Sequence, residues 1–287
     1  MIEVEGLSFR YPGADKECIQ DVSFSIAKGS TFGLLGPSGS GKSTMQKLII
    51  GLLDNYKGVI RVMDKSLKDW GNEYYNKLGV SFELPNHYEN LTARENLKFF
   101  ASLFPNASVD FAKWLERLDL SQSENTLVKK MSKGMKMRLN FIRAIQHDPD
   151  IIFLDEPTSG LDPVTAELVK SIIKELRDQG KTILLTTHNM YDAQELCNTI
   201  AFLVDGKLAE IDSPEALRSR QFQNKVVVAY KISEEELAEK IFSISGLGTN
   251  EEFISLLRDQ DGKITSINSN QATLEDVFKE LVVKGNK

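Results

Sequence analysis

Phe32-Gly33-Leu34-Leu35-Gly36-Pro37-Ser38-Gly39-Ser40-Gly41-Lys42-Ser43 is the stretch that decides the fold. Its first four residues form a compact apolar run that suits a buried strand, and the residues from about Lys42 to Leu53 read as a helix. Between them lies a loop of the form G-x-x-x-x-G-K-[ST], in the strand-to-helix context that a phosphate-binding loop requires. Its glycines let backbone N–H groups turn inward, and the helix N-terminus adds partial positive charge. Lys42 is placed to reach β- and γ-phosphates, and the Ser43 hydroxyl to ligate Mg²⁺. Pro37, Ser38, Gly39, Ser40, Gly41 and Thr44 complete the candidate nucleotide-binding set.

Further along, Ile151-Ile152-Phe153-Leu154-Asp155-Glu156 is an apolar strand that ends in two carboxylates. Beside a phosphate loop, Asp155 suits Mg²⁺ and Glu156 suits polarisation of an attacking water. Thr182–Thr186 is a second strand buried on both faces. Asp162-Pro163 starts a helix, with Asp as N-cap and Pro at the first helical position. Met190–Cys197 reads as another helix. Ile200–Val204, Asp205-Gly206 and Lys207–Ile211 read as a hairpin.

Leu7, Phe9 and Tyr11, and later Val22, Phe24 and Ile26, alternate as strands ahead of the loop, and Gly58–Val62 is a further strand. From about Pro85 to Pro149 the periodicity becomes helical, with Thr92 and Glu95 forming a capping box. After Pro214 a small α+β appendage follows. There the spacing predicts a strand through Val226, Val228, Tyr230 and Ile232, and a helix over Glu234–Phe242. A turn at Asp259–Gly262, a strand Lys263–Ile267 and a last helix through Leu274, Val277, Phe278 and Leu281 complete it.

The chain has 287 residues, enough for one large domain and a smaller one. Its formal net charge of −6 disfavours nucleic acid as partner. Cys18 and Cys197 are too few and too far apart for a disulfide framework, which points to a reducing compartment, and Cys197 reads as a buried small hydrophobe. The N-terminus lacks signal-peptide character, and no apolar run is long enough to span a bilayer. Any membrane role therefore runs through docking on another chain.

Taken together, residues 1–215 resemble the ABC ATPase family. The resemblance rests on Gly36–Ser43 (Walker A), Met131-Ser132-Lys133-Gly134-Met135 (signature), Ile151–Glu156 (Walker B), Ser159-Gly160-Leu161-Asp162 (D-loop) and His188 (switch histidine). It implies an α/β P-loop NTPase fold: a RecA-like core, an antiparallel β subdomain and a helical subdomain at about 85–150, with residues 216–287 as the accessory α+β domain. It also implies an ATP- and Mg²⁺-dependent ATPase. Two cassettes, a homodimer in the favoured form, would close head to tail on two ATP molecules and drive an integral membrane permease from the cytoplasmic face. In that scheme Glu156 is the general base and His188 contacts the γ-phosphate. Ser132 and Gly134 touch the partner's nucleotide, and Tyr11 stacks on adenine. Tyr11 also fits a strand aromatic facing the core.

Two departures from the family pattern stand out. Glu83 occupies the place of a glutamine, and as a carboxylate it is a candidate Mg²⁺ ligand; an exposed loop glutamate is the alternative. In the signature, Lys133 replaces a glycine and Met135 a glutamine, so Lys133 is either a solvated charge or a cation near the partner's ATP. The tail Ala272-Thr273-Leu274-Glu275-Asp276-Val277-Phe278 is similar to the ending of bacterial exporter cassettes, and equally fits an amphipathic helix with a capping Thr. A ribosome- or DNA-directed ATPase, an unrelated P-loop kinase or GTPase and a purely regulatory module are the rival functions. The single cassette without long heptads, the missing Asn-Lys-x-Asp motif and the intact Glu156 argue against them in turn.

Overall fold

Strands β3 (Thr31–Leu35), β7 (Ile151–Asp155) and β8 (Thr182–Thr186) are buried at every residue. That is the pattern of a parallel sheet covered on both faces, and it explains why their sequences are nearly continuous apolar runs. They form the middle of a six-stranded sheet ordered β10-β9-β3-β8-β7-β6, where β6 is Leu78–Ser81, β9 Thr199–Val204 and β10 Lys207–Asp212. The pairs β3–β8, β3–β9, β6–β7 and β7–β8 are parallel. Only β10 doubles back, through Asp205 and Gly206 at φ +49° and +77°. Positive φ at both turn residues is what a two-residue hairpin needs to match strand twist.

The computed structural model describes residues 1–105, 110–221, 225–231, 237–258, 264–270 and 273–285. The chain divides into two units, Met1–Ile211 and Asp212–Lys287. The first also holds a four-stranded sheet, β2-β1-β4-β5, from β1 (Ile2–Phe9), β2 (Ile19–Ile26), β4 (Lys57–Val62) and β5 (Lys65–Ser66). It is antiparallel throughout. Its inward residues, Val4, Leu7, Val22 and Ile60 among them, join Phe32, Leu34 and Leu48 in one apolar core. Each large side chain so buried contributes about 1.5–3 kcal/mol.

Helix α1 (Lys42–Ile50) packs its apolar residues into this core and stops at Gly51 in the left-handed region. It is therefore shorter than the expected run to Leu53, because Gly51 provides a C-cap that hydrogen-bonds back to Leu48 and Lys47. Strand β1 likewise ends at Phe9, so Tyr11 lies beyond it. Helices α2 (Ala93–Ala101), α3 (Phe111–Arg117) and α4 (Lys133–Ile145) occupy the helical stretch. The capping box of Thr92 and Glu95 is present in full. Helix α5 (Pro163–Asp178) is capped by Asp162, and α6 (Met190–Leu196) by Asn189. Cys197 is buried, and a Cβ on Gly33 would lie 2.7 Å from its sulfur, so only glycine lets β3 pass there.

The second unit contains α7 (Pro214–Gln221), β11 (Lys225–Lys231), β12 (Leu237–Ser243), α8 (Glu251–Arg258), β13 (Ile264–Asn270) and α9 (Leu274–Gly285). Its sheet, β12-β11-β13, is antiparallel and covers a small core of Val226, Val228, Phe242 and Phe253. The expected helix over Glu234–Phe242 is wrong for its described part, which is strand β12. Glu239 and Lys240 favour a helix, but pairing along all of β11 outweighs that preference. Ile232, Glu234, Lys263, Ala272 and the turn at Asp259–Gly262 lie outside the described residues.

Candidate functional site

The C-terminal ends of β3, β7 and β8 meet along one edge of the parallel sheet, the place where open α/β sheets bind ligands. Each end carries part of the predicted set. After β3 the loop Gly36–Gly41 runs into α1, whose N-cap is Gly41 at φ +107° with no side-chain cap bond. A Cβ at Gly41 would meet Ile19 at 2.7 Å, and one at Gly36 would lie 2.1 Å from the Leu203 carbonyl oxygen. Larger residues are therefore excluded, and the amides at the start of α1 are left without a competing side chain. Acidic residues are absent from the first turn of α1.

Lys42 Nζ donates to the carbonyls of Gly36 at 2.8 Å and Pro37 at 3.0 Å, which holds the ammonium over the loop. Burial pulls its pKa down, and the negative fields of Glu156, Asp155 and Glu83 oppose that shift. These three carboxylates are thus the anionic surroundings of Lys42. Ser40 is buried with its hydroxyl unpartnered, while Ser38, Gly39 and Ser43 are exposed. Thr44 is held by Tyr11, whose hydroxyl lies 3.2 Å from Thr44 Oγ1, and by Cys18 Sγ at 3.5 Å. The Tyr11 ring stands edge-on to Phe9 at 4.9 Å and is 36% exposed. It is not a core aromatic.

Asp155 ends β7, Glu156 follows it, and each is 9% exposed. Asp155 accepts from Thr186 Oγ1, its register partner on β8, and Gln46 Nε2 of α1 donates to the same Thr186 oxygen at 3.4 Å. Glu156 takes φ +50°, a conformation that costs a non-glycine residue energy. Its N–H donates to Thr186 O at 3.0 Å. Its carboxylate accepts from Thr187 Oγ1 at 3.2 Å and faces His188 Nδ1 at 2.8 Å. The His188 side chain is 75% exposed, so the pair has its carboxylate inside and its imidazole at the surface.

Glu83 is exposed on the loop after β6. Buried Asn140 of α4 anchors that loop by donating to Ser81 Oγ and Phe82 O, both at 2.9 Å. Ser132 and Gly134 stand at the start of α4. Ser132 caps α4 through Met135 N, and a Cβ on Gly134 would touch Leu161 at 3.7 Å. Lys133 lies over Gly160, with Nζ 3.5 Å from where a Cβ would stand. Thr186, Thr187 and Gln46 join the site without having been singled out in the sequence. The Thr186-Thr187 pair directly before His188 is the signal that could have found them.

The donor set fits a nucleotide and a hard cation. A glycine cradle, an uncapped helix end and a lysine suit phosphates, and Ser43 and Asp155 offer oxygen ligands. Among the described residues no cluster of three or more His, Cys, Asp or Glu could hold a metal unaided.

Known proteins resemble this chain in sequence and fold. Residues 19–159 match the family model described as ABC transporter. A fluoroquinolones export ATP-binding protein of Mycobacterium tuberculosis (strain ATCC 25618 / H37Rv) is 48% identical over 98% of this chain and 93% of its own length. A Nod factor export ATP-binding protein I of Bradyrhizobium diazoefficiens is 36% identical over 79% of this chain and 76% of its own. Among solved structures, an ATP-binding subunit of an ABC transporter aligns with a TM-score of 0.70 at 28% identity, over 77% of this chain and 92% of that one. A dimeric ATP-binding cassette in a post-hydrolysis state, bound to ADP and Pi, aligns at 0.67 and 26%, over 74% of this chain and 98% of that one. On this evidence the chain belongs to the family of ATP-binding, ATP-hydrolysing subunits of ABC transporters.

Proposed function

We propose that this chain powers an exporter by closing with a second copy of itself on two ATP molecules and hydrolysing them. The observation that carries the reading is the convergence of Lys42, Asp155 and the Glu156–His188 pair at one edge of the parallel sheet. In this account Tyr11 stacks on adenine, and the loop from Pro37 to Thr44 wraps the phosphates. Lys42 gives up its loop carbonyls for phosphate oxygens. Glu156 takes the proton of the attacking water, and His188, 2.8 Å from that carboxylate, contacts the γ-phosphate. Ser43, Asp155 and Glu83 are the oxygen donors assigned to Mg²⁺. The cation, when bound, neutralises charge on the phosphates.

Ser132 and Gly134 serve the second copy's nucleotide. Gly134 lies against Gly160 and Leu161 of the Ser159–Asp162 segment, which supports that assignment. Residues 1–215 form the motor and 216–287 an accessory domain. Among the described residues no helix is long and apolar enough to cross a membrane. The export ATP-binding relatives support a place on the inner face, docked on a permease. A groove of about 500 Å³ between β6, α2 and α4, lined by Phe82, Tyr88, Phe100 and Arg143, is the proposed seat for that permease. The 48% identical relative named for fluoroquinolones export favours fluoroquinolones as cargo.

Phosphate release tests the reading. The wild-type chain with ATP and Mg²⁺ should turn over, and Glu156→Gln should bind ATP but lose hydrolysis by on the order of a thousandfold. Hydrolysis by Glu156→Gln at the wild-type rate would remove Glu156 from the mechanism.

A further inference from the structure

Behind the catalytic edge lies a buried charge cluster to which the mechanism above gives no part. Lys170 of α5 has a side chain only 3% exposed. Its ammonium lies 2.5 Å from Glu167 Oε1 and 3.7 Å from Asp192 Oδ1, and it also bonds Glu195. The Tyr191 ring centroid is 5.2 Å away, and Lys174 holds the other Glu195 oxygen at 2.6 Å. Burial lowers the Lys170 pKa, but bonds from Glu167 and Glu195 and the field of Asp192 more than reverse this, so it stays charged. An ion hidden this far is costly unless paired, so the cluster fixes α5 against α6.

Asp192 also reaches toward the active site. Its Oδ2 accepts from Thr158 Oγ1 at 2.6 Å. Thr158 stands just beyond Glu156, and Asp192 lies in the first turn of the helix that begins after His188. The two segments are thus joined at Glu156, through Thr186, Thr187 and His188, and again farther on at Thr158–Asp192. Glu156 needs such a brace. A left-handed glutamate persists only where its surroundings over-determine it, and the Glu156 backbone donates to Thr186 O and accepts from Ser159 N.

We propose that Asp192, backed by Lys170, is a positioning residue: through Thr158 it holds the turn after Glu156 against the helix after His188 and thereby sets the geometry of that pair. The proposal rests on the reading of Glu156 and His188 as hydrolytic groups. Asp192 touches no reacting atom, and its contribution is to orientation, where small displacements are costly.

Thr158→Val tests it in the full chain, since this nearly isosteric change removes the hydroxyl and leaves Asp192 paired with Lys170. In ¹⁵N-histidine spectra the His188 ring signals, assigned with His188→Ala, should move, while those of His87 and His147 stay in place. Turnover should fall about tenfold with KM for ATP within about twofold of wild type. Thr158→Ser should restore both readouts. Unmoved His188 signals, a Ser variant as impaired as the Val variant, or a loss confined to KM would overturn the proposal. Failure of the underlying reading looks different: Glu156→Gln and His188→Ala would themselves keep wild-type hydrolysis.

Discussion

The N-terminus of α1 and those of α2, α4, α5 and α6 are built in opposite ways. Thr92, Ser132, Asp162 and Asn189 each cap their helix with a side-chain oxygen. Helix α1 begins at a left-handed glycine with no such bond, and Lys42 follows at once. Every helix has unsatisfied N–H groups at its start, and a cap meets that need from within the chain. Leaving it unmet at α1, beside a lysine, reserves those donors for an anion. The difference separates a ligand site from ordinary helix architecture by local chemistry alone.

The largest expected effect breaks the exception. Lys42→Ala should lower ATP affinity on the order of a hundredfold, as loss of a charge-assisted bond predicts, with little change in thermal stability. Titration with a fluorescent ATP analogue measures it. Unchanged affinity would mean that the uncapped helix end is not the nucleotide site.

A smaller effect sharpens the contrast between two capped helices. Thr92→Ala and Ser132→Ala should each destabilise the fold by about 1 kcal/mol in denaturant titrations. Thr92→Ala should leave ATP-dependent association intact. Ser132→Ala should weaken it, because that cap is also assigned to the partner's phosphate. Equal behaviour of the two in association would reduce Ser132 to a cap.

The smallest effect is a pH dependence. Hydrogen bonds from the Thr92 backbone and side chain hold the Glu95 carboxyl below the usual carboxylate range. Its contribution is fully present above the unfolded pKa and is lost as pH falls through the lowered folded value. Glu95→Gln should therefore lower stability slightly at neutral pH and flatten the acid limb, with the two curves meeting below the folded pKa of Glu95. An unchanged acid limb would show that the carboxylate adds nothing to the box.

The same contrast explains what was legible in the sequence. Caps, the phosphate loop and the buried strands are local patterns, so Thr92–Glu95, Gly36–Ser43 and Ile151–Glu156 could be read directly. Strand β12 was not legible, because Glu239 and Lys240 look helical until β11 is there to pair with. The Lys170 cluster escaped for a related reason. Glu167, Lys170 and Lys174 are charged residues three and four apart, a spacing common on exposed helix faces, and only the fold brings in Asp192 and Glu195 from α6. Tyr11 was legible in part: alternation put it on a strand, whereas its hydroxyl turns to Thr44. Residues whose role depends on a distant partner carry little trace of it in their neighbours.

The central claim is that ATP brings two copies together. Sedimentation of Glu156→Gln with and without ATP and Mg²⁺ tests it most directly, since this variant should bind ATP without consuming it. The account predicts a monomer of 32.2 kDa without nucleotide and a dimer of twice that mass with it. A particle that stays monomeric at saturating ATP would contradict closure of two identical copies.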